Sequence, residues 1–268
     1  MVNKNYILFI DSGIGGLSIL KYFLDLEKDV NIIYFADTLN YPYGKKDEKT
    51  IGNILFNIYN SLKNEFNISL IVIACNTASV SALSFLRSQI SIPVIGTVPA
   101  IKPAAKVTKN NRIGIIATET TVKLDYIQNL IKNFAKNKEV FIKSCPKLVD
   151  AAENFYSTEK IQEILKEELS FFVAKDIDTL VLGCTHYSFL LEDINNFFNN
   201  KVKILDSREG VSKRILQLLL EEVKDKNSKK LLFISNRDIE IKKKYQRFNE
   251  ILKIFDHIDY HEILFFSN

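Results

Sequence analysis

Two short stretches carry residues whose types and spacing could do chemistry. "LIVIACNTASVSAL" runs from Leu70 to Leu83 and "LVLGCTHYSFLL" from Leu180 to Leu191. Each is an apolar run, a small residue, a cysteine, and then polar groups: Asn76 and Thr77 after Cys75, Thr185 and His186 after Cys184. A lone cysteine at a strand end is ordinarily a small buried hydrophobe. A pair in matching settings is harder to dismiss. A strand-to-helix step can draw a thiol's pKa below its usual value of about 8.5, because the helix N-terminus favours the thiolate. The hydroxyl, amide and imidazole neighbours could hold a small polar ligand. His186, two residues past Cys184, could exchange a proton with that thiol or hold its thiolate, or it could merely cap the next helix.

Two similar segments that each deliver one thiol suggest bases on opposite sides of a single ligand. Inversion of a carbon stereocentre needs that arrangement: one base removes a proton, and a conjugate acid returns one to the other face. "DSGIGG", with Asp11 and Ser12 between a strand and a helix, adds a favourable anion-binding loop, since glycines expose backbone N–H groups at a helix N-terminus. It lacks the spacing of a dinucleotide or P-loop fingerprint, and its plainer reading is an N-cap. Cys145, in "KSCPKLV", has no such polar cluster and reads as structural. Glu153 and Asp150, in "CPKLVDAAEN", read by default as carboxylates on an exposed helix face.

The elements that must position these groups alternate regularly. "YILFI", "NIIYFA", "LIVIA", "IPVIG", "RIGIIAT", "VFIKSC", "TLVLG" and "VKILD" read as strands with helical-period segments between them. "KLLFIS" reads as the last strand. Runs apolar on both faces imply an α/β fold with mainly parallel sheets. The number of strands and the separation of the two cysteine segments imply two α/β domains. The expected bounds are 1–96 plus 207–268 for a discontinuous first domain and 97–206 for the second. The break falls at "GTVPAIKP" and the return near Asp206. Ligands of open α/β sheets bind beyond the carboxyl ends of strands. Asp11-Ser12, the "NYPYG" loop and both cysteine segments all belong there.

Bulk properties narrow the classes. The 268 residues are 47% hydrophobic and 25% charged, with net charge +4, as in ordinary globular proteins. No basic-aromatic interleaving argues for nucleic acid, and "KDKNSKK" reads as a solvated loop. No apolar run is long enough to cross a membrane or to serve as a signal peptide, so the expected compartment is cytoplasmic. Three cysteines and three histidines without CxxC or HxxxH pairs support neither a disulfide scaffold nor a metal site.

The segments "FIDSGIGGLSIL", "ADTLNYPYGKKDEKTI", "VIACNTASVSAL", "PVIGTVPAIKPA" and "LVLGCTHYSFLL" occur in the order found in the cofactor-independent glutamate racemases of bacteria, which the sequence closely resembles from residue 9 to 191. The resemblance implies two pseudo-symmetric α/β domains with the active site at their interface. It also implies homodimers and interconversion of L- and D-glutamate without pyridoxal phosphate, metal or other cofactor, with D-glutamate serving peptidoglycan synthesis. By motif, Cys75 and Cys184 match the acid/base thiols, assisted by Asp11 and His186 respectively. Asp11, Ser12, Tyr43, Gly44, Asn76, Thr77, Thr185 and His186 match substrate-binding positions, and Glu153 a supporting carboxylate. The sequence departs from the family at Ser188, commonly Pro, where a local packing effect is expected, and around Glu153. His186 favours glutamate over aspartate, since aspartate racemases of the superfamily tend to carry Glu there. A degenerate amino-acid-binding protein remains the alternative of another class, and a dithiol redox enzyme is disfavoured by the missing CxxC.

Overall fold

The computed structural model describes residues 4–123, 125–219 and 224–261. In chain order the elements begin with β1 (Asn5–Asp11), α1 (Leu17–Leu26), β2 (Asn31–Ala36), α2 (Glu48–Leu62), β3 (Asn67–Ile73), α3 (Asn76–Gln89) and β4 (Val94–Gly96). They continue with α4 (Ile101–Val107), β5 (Arg112–Ala117), α5 (Glu119–Lys123), α6 (Asp125–Phe134), β6 (Glu139–Ser144), α7 (Pro146–Glu153), α8 (Thr158–Ala174) and β7 (Thr179–Leu182). After a 3-10 helix at Thr185–Leu190 come α9 (Leu191–Phe197), β8 (Lys203–Leu205), α10 (Arg208–Leu218), β9 (Lys230–Ile234), α11 (Ile239–Leu252) and β10 (His257–Tyr260). The chain divides into two compact units, Met1–Thr97 with Arg208–Asn268, and Val98–Ser207.

The first unit is built on a parallel sheet of order β10-β9-β2-β1-β3-β4. Its central strands are buried on both faces, which their unbroken apolar runs require: all of "NIIYFA" is buried. Side chains alternate between two layers. Leu8, Ile10, Ile33, Phe35, Ile71 and Ile73 pack with Ile51, Leu55 and Ile58 of α2 and Ala78, Ala82 and Leu86 of α3. Phe9 points the other way, its ring centroid 6.1 Å from that of Phe23 on α1. A fully buried side chain of this size contributes roughly 1.5–3 kcal/mol relative to exposure. "KLLFIS" is not the last strand. β10 adds to its edge in parallel, with His257 beside Leu231 and Tyr260 beside Ile234.

The second unit holds a parallel sheet of order β6-β5-β7-β8. Ile116, Leu180 and Leu182 face a layer containing Leu148 of α7, Leu165 and Leu169 of α8 and Ile194 of α9. Ile113, Ile115 and Val181 face Ile101 and Ala104 of α4 and Ile127 of α6. The first four strands of each unit therefore share one spatial order: second, first, third, fourth. Each cysteine under discussion follows the third.

Candidate functional site

In the first unit, Cys75 is the N-cap residue of α3, in an extended conformation (φ −131°, ψ 125°), with Asn76 and Thr77 buried in the first helical turn. The helix therefore begins at Asn76. Asp11 ends β1 and is fully buried; its Oδ1 accepts from the Ser12 N–H and its Oδ2 from the Gly16 N–H, both at 2.7 Å. The carboxylate thus accepts from the backbone of Gly16, the residue that precedes α1, near a helix N-terminus that favours negative charge. Gly16 is required by close approach. A Cβ there would sit 2.6 Å from that of Ala74, the residue before Cys75. Ser12 is buried beside Asp11.

Tyr43 and Gly44 lie in the single turn Tyr43–Lys45. Tyr43 is buried and its hydroxyl donates to Asp37 Oδ2 at 2.9 Å. Burial raises the phenol's pKa well above its usual value, and the charges of Asp37, Asp11 and Cys75 push in the same direction. Asp37, fully buried at the end of β2, was not singled out by the sequence motifs. Its Oδ1 accepts from Ser235 Oγ at 3.1 Å, both its oxygens accept from Asn40 Nδ2 at 3.0 Å, and its own N–H donates to the Asp11 carbonyl. Burial raises its pKa, opposed by the bonds from Asn40, Tyr43 and Ser235 and by Lys46. The available signal was its place, a carboxylate one residue past an apolar strand, much like Asp11.

The second unit assembles a chain of three buried groups. Cys184 Sγ lies 3.6 Å from His186 Nδ1, and His186 Nε2 lies 2.7 Å from Glu153 Oε1. Glu153 closes α7 and is 5% exposed, which overturns the expectation of an exposed carboxylate; Asp150, one turn earlier, is exposed as expected. Burial of His186 disfavours its charge, but the bonds to Cys184 and Glu153 prevail and raise its pKa well above the ordinary histidine value. The imidazolium can then donate from Nδ1 to sulfur and from Nε2 to the carboxylate. The strand-to-helix step expected at Cys184 is also corrected. Cys184 precedes the 3-10 helix Thr185–Leu190, and α9 starts only at Leu191. The local charge source here is the imidazole, not an α-helix N-terminus.

Thr185 is buried in the same turn. Tyr187 places its hydroxyl 2.9 Å from the Ala117 carbonyl and 3.0 Å from that of Cys145, pinning the turn to the ends of β5 and β6. Gly183 permits this packing, since a Cβ there would lie 2.9 Å from the Ile116 carbonyl oxygen. Ser188 Oγ donates to Asp206 Oδ2 at 3.3 Å. Cys145 is fully buried at the start of α7; burial raises its thiol pKa strongly, with Glu168 adding to the rise and Lys143 opposing it. The cysteines form no disulfide, and among the described residues no cluster of three metal-ligating side chains occurs. Also among them, no helix is long and apolar enough to cross a membrane.

Comparison with known proteins fits this geometry. The Asp/Glu/Hydantoin racemase family model matches residues 28–209. The glutamate racemase of Histophilus somni is 40% identical over 244 residues, covering 90% of this chain and 91% of that one. That of Aliivibrio fischeri is 43% identical over 217 residues, 80% of this chain and 81% of its own. The crystal structure of Escherichia coli glutamate racemase in complex with L-glutamate and the activator UDP-MurNAc-ala superposes with a TM-score of 0.88 at 30% identity, covering 97% of this chain and 99% of that one. The chain belongs to the Asp/Glu/Hydantoin racemase family, and is thus an isomerase of amino-acid type.

Proposed function

We propose that the chain is a glutamate racemase that interconverts L- and D-glutamate by a two-base thiol mechanism. The observation that carries this reading is the repeat of a cysteine after the third strand of two sheets of like order, each with its own acid/base neighbourhood. The nature of the relatives points to the substrate. One thiolate removes the α-proton and becomes a thiol; the other thiol gives its proton to the opposite face and becomes a thiolate. The enzyme is left with the two protonation states exchanged; proton exchange of the free enzyme with solvent, or turnover in the reverse direction, restores them. By family resemblance Cys75 acts on D-glutamate and Cys184 on L-glutamate, with Asp11 serving the first and the Glu153-supported His186 the second. Ser12, Tyr43, Gly44, Asn76, Thr77 and Thr185 hold the substrate's carboxylates and ammonium.

On this reading the reaction needs no pyridoxal phosphate or metal. The product feeds peptidoglycan synthesis in the cytoplasm, and the working species is a homodimer. Circular dichroism of purified protein with D-glutamate and, separately, D-aspartate tests the core of the proposal. Loss of optical activity from glutamate alone, undiminished by chelator and without added cofactor, is the expected result. A requirement for pyridoxal phosphate or a divalent ion, or comparable kcat/KM for aspartate, would sink it. A site arranged for one side-chain length leaves polar groups unpaired with a shorter acid.

A further inference from the structure

Asp37 is a buried carboxylate held by neutral donors. Asn40 Nδ2, Tyr43 Oη and Ser235 Oγ all donate to it, and the cation whose charge reaches it, Lys46, makes no ion pair with it among the described residues. Such a group is unfavourable to bury unless its bonds accomplish something a neutral side chain would not. Its partners come from three separate stretches of chain. Asn40 belongs to the turn Thr38–Asn40, Tyr43 to the turn Tyr43–Lys45, and Ser235 to the end of β9, nearly two hundred residues on. Ser235 Oγ in turn accepts from the Leu39 N–H at 3.0 Å, so the same hydroxyl grips the turn twice. The Tyr43 hydroxyl is buried, and Asp37 is its acceptor.

We propose that Asp37 is a positioning residue for substrate binding: its carboxylate fixes Tyr43, and with it Gly44, by strapping the 38–45 turns to the C-terminal end of β9. The inference rests on the reading that the Tyr43–Gly44 turn meets glutamate. A binding turn displaced by an ångström loses much of its hold on a small ligand, whereas the cysteines read as doing the proton transfer follow β3 and β7, to which the Asp37 carboxylate makes no hydrogen bond among the described residues. The effect therefore falls on KM.

The test is steady-state racemisation of D-glutamate by Asp37→Ala, Asp37→Asn, Tyr43→Phe, Tyr43→Ala, Ser235→Ala and the double variants of Asp37 with Tyr43→Phe. Asp37→Ala and Tyr43→Phe should each raise KM about tenfold, the loss expected for a hydrogen bond to a charged group, with kcat within about threefold of wild type. Asp37→Asn is isosteric and keeps one acceptor, so it should raise KM by only about threefold, with Ser235→Ala similar. The double variants should be no worse than the worse single one, because both remove the same tether. Thermal melts report whether each variant is folded; if Asp37→Ala is not, the Asp37→Asn and Tyr43→Phe cycle decides. Additive effects, or wild-type KM for both Asp37→Asn and Tyr43→Phe while Tyr43→Ala is impaired, would overturn the tether. Wild-type KM for Tyr43→Ala would instead overturn the reading of the turn as substrate-binding.

Discussion

Cys75 and Cys184 stand at matching places in their sheets and are surrounded by different chemistry. Cys75 is half-buried and caps a 14-residue α-helix, with a carboxylate, Asp11, anchored nearby on backbone N–H donors. Cys184 is buried ahead of a 3-10 turn and has an imidazole within reach, itself braced by Glu153. One thiol sits at a helix N-terminus with its fixed backbone dipoles and the other beside a titrating side chain. The same topological slot thus surrounds a thiol by two electrostatic routes, a helix N-terminus and an imidazole, and only the second contains a titrating side chain.

Removing either thiol breaks the comparison most completely. Cys75→Ala and Cys184→Ala should each lower racemisation by at least about a thousandfold, since inversion needs both bases. The Ser variants are sharper. Each should still eliminate HX from a substrate analogue bearing a β-leaving group, because elimination needs one proton abstraction, but only from one enantiomer. Elimination kinetics on both enantiomers check this; two Ser variants that lose the same enantiomer would refute opposed thiols.

The next largest effect separates the two electrostatic routes. Glu153→Gln should lower activity by about 10–100-fold and shift the imidazole's titration downward, read from the His186 ring signal by NMR. The sign follows from the raised native pKa of His186. Its stabilising contribution is complete below the ordinary histidine pKa and is lost as pH rises through the raised native value. In Glu153→Gln that loss should begin at lower pH in urea or thermal unfolding. An unchanged midpoint would show that Glu153 does not hold the charge.

Backbone spacing offers a smaller perturbation common to both sites. Gly183→Ala must move the end of β7 from the Ile116 carbonyl, and Gly16→Ala must move α1 from Ala74. Each should destabilise by about 1–3 kcal/mol, as overpacking does, with kcat falling alongside; chemical denaturation and rate measurements on the same samples test the pairing. The smallest effect belongs to Cys145→Ala, which should retain near-wild-type racemisation with a stability loss of about 1 kcal/mol. A dead Cys145→Ala would overturn the assignment of the reactive thiols.

The central strands were legible because a parallel strand covered on both faces must be apolar throughout, as "NIIYFA" and "LIVI" are. β10 escaped because "HIDY" is an edge strand with alternate residues exposed, so only half its face carries a signal. The cysteines were legible as a repeated local pattern. Glu153 was legible only through family resemblance, and its burial not at all. α7 carries Lys147 and Asp150, with Asn154 just past its end, and what encloses its last residue is a turn more than thirty positions later. Asp37 was hidden for the same reason, since its partners at Tyr43 and Ser235 come together only through sheet order.

The enclosure of Cys145 also equips the protein with an internal clock. Its sulfur is sealed in the second unit's core, and its high pKa leaves almost no thiolate at neutral pH. A thiol reagent pulsed onto the native protein should therefore reach half-buried Cys75 promptly and Cys145 only when that core opens. In Cys75→Ala/Cys184→Ala protein, the rate of alkylation then measures the opening of a single unit, residue-resolved and without spectroscopy. Under fast reclosing it reports the opening free energy, and at high reagent concentration the opening rate itself.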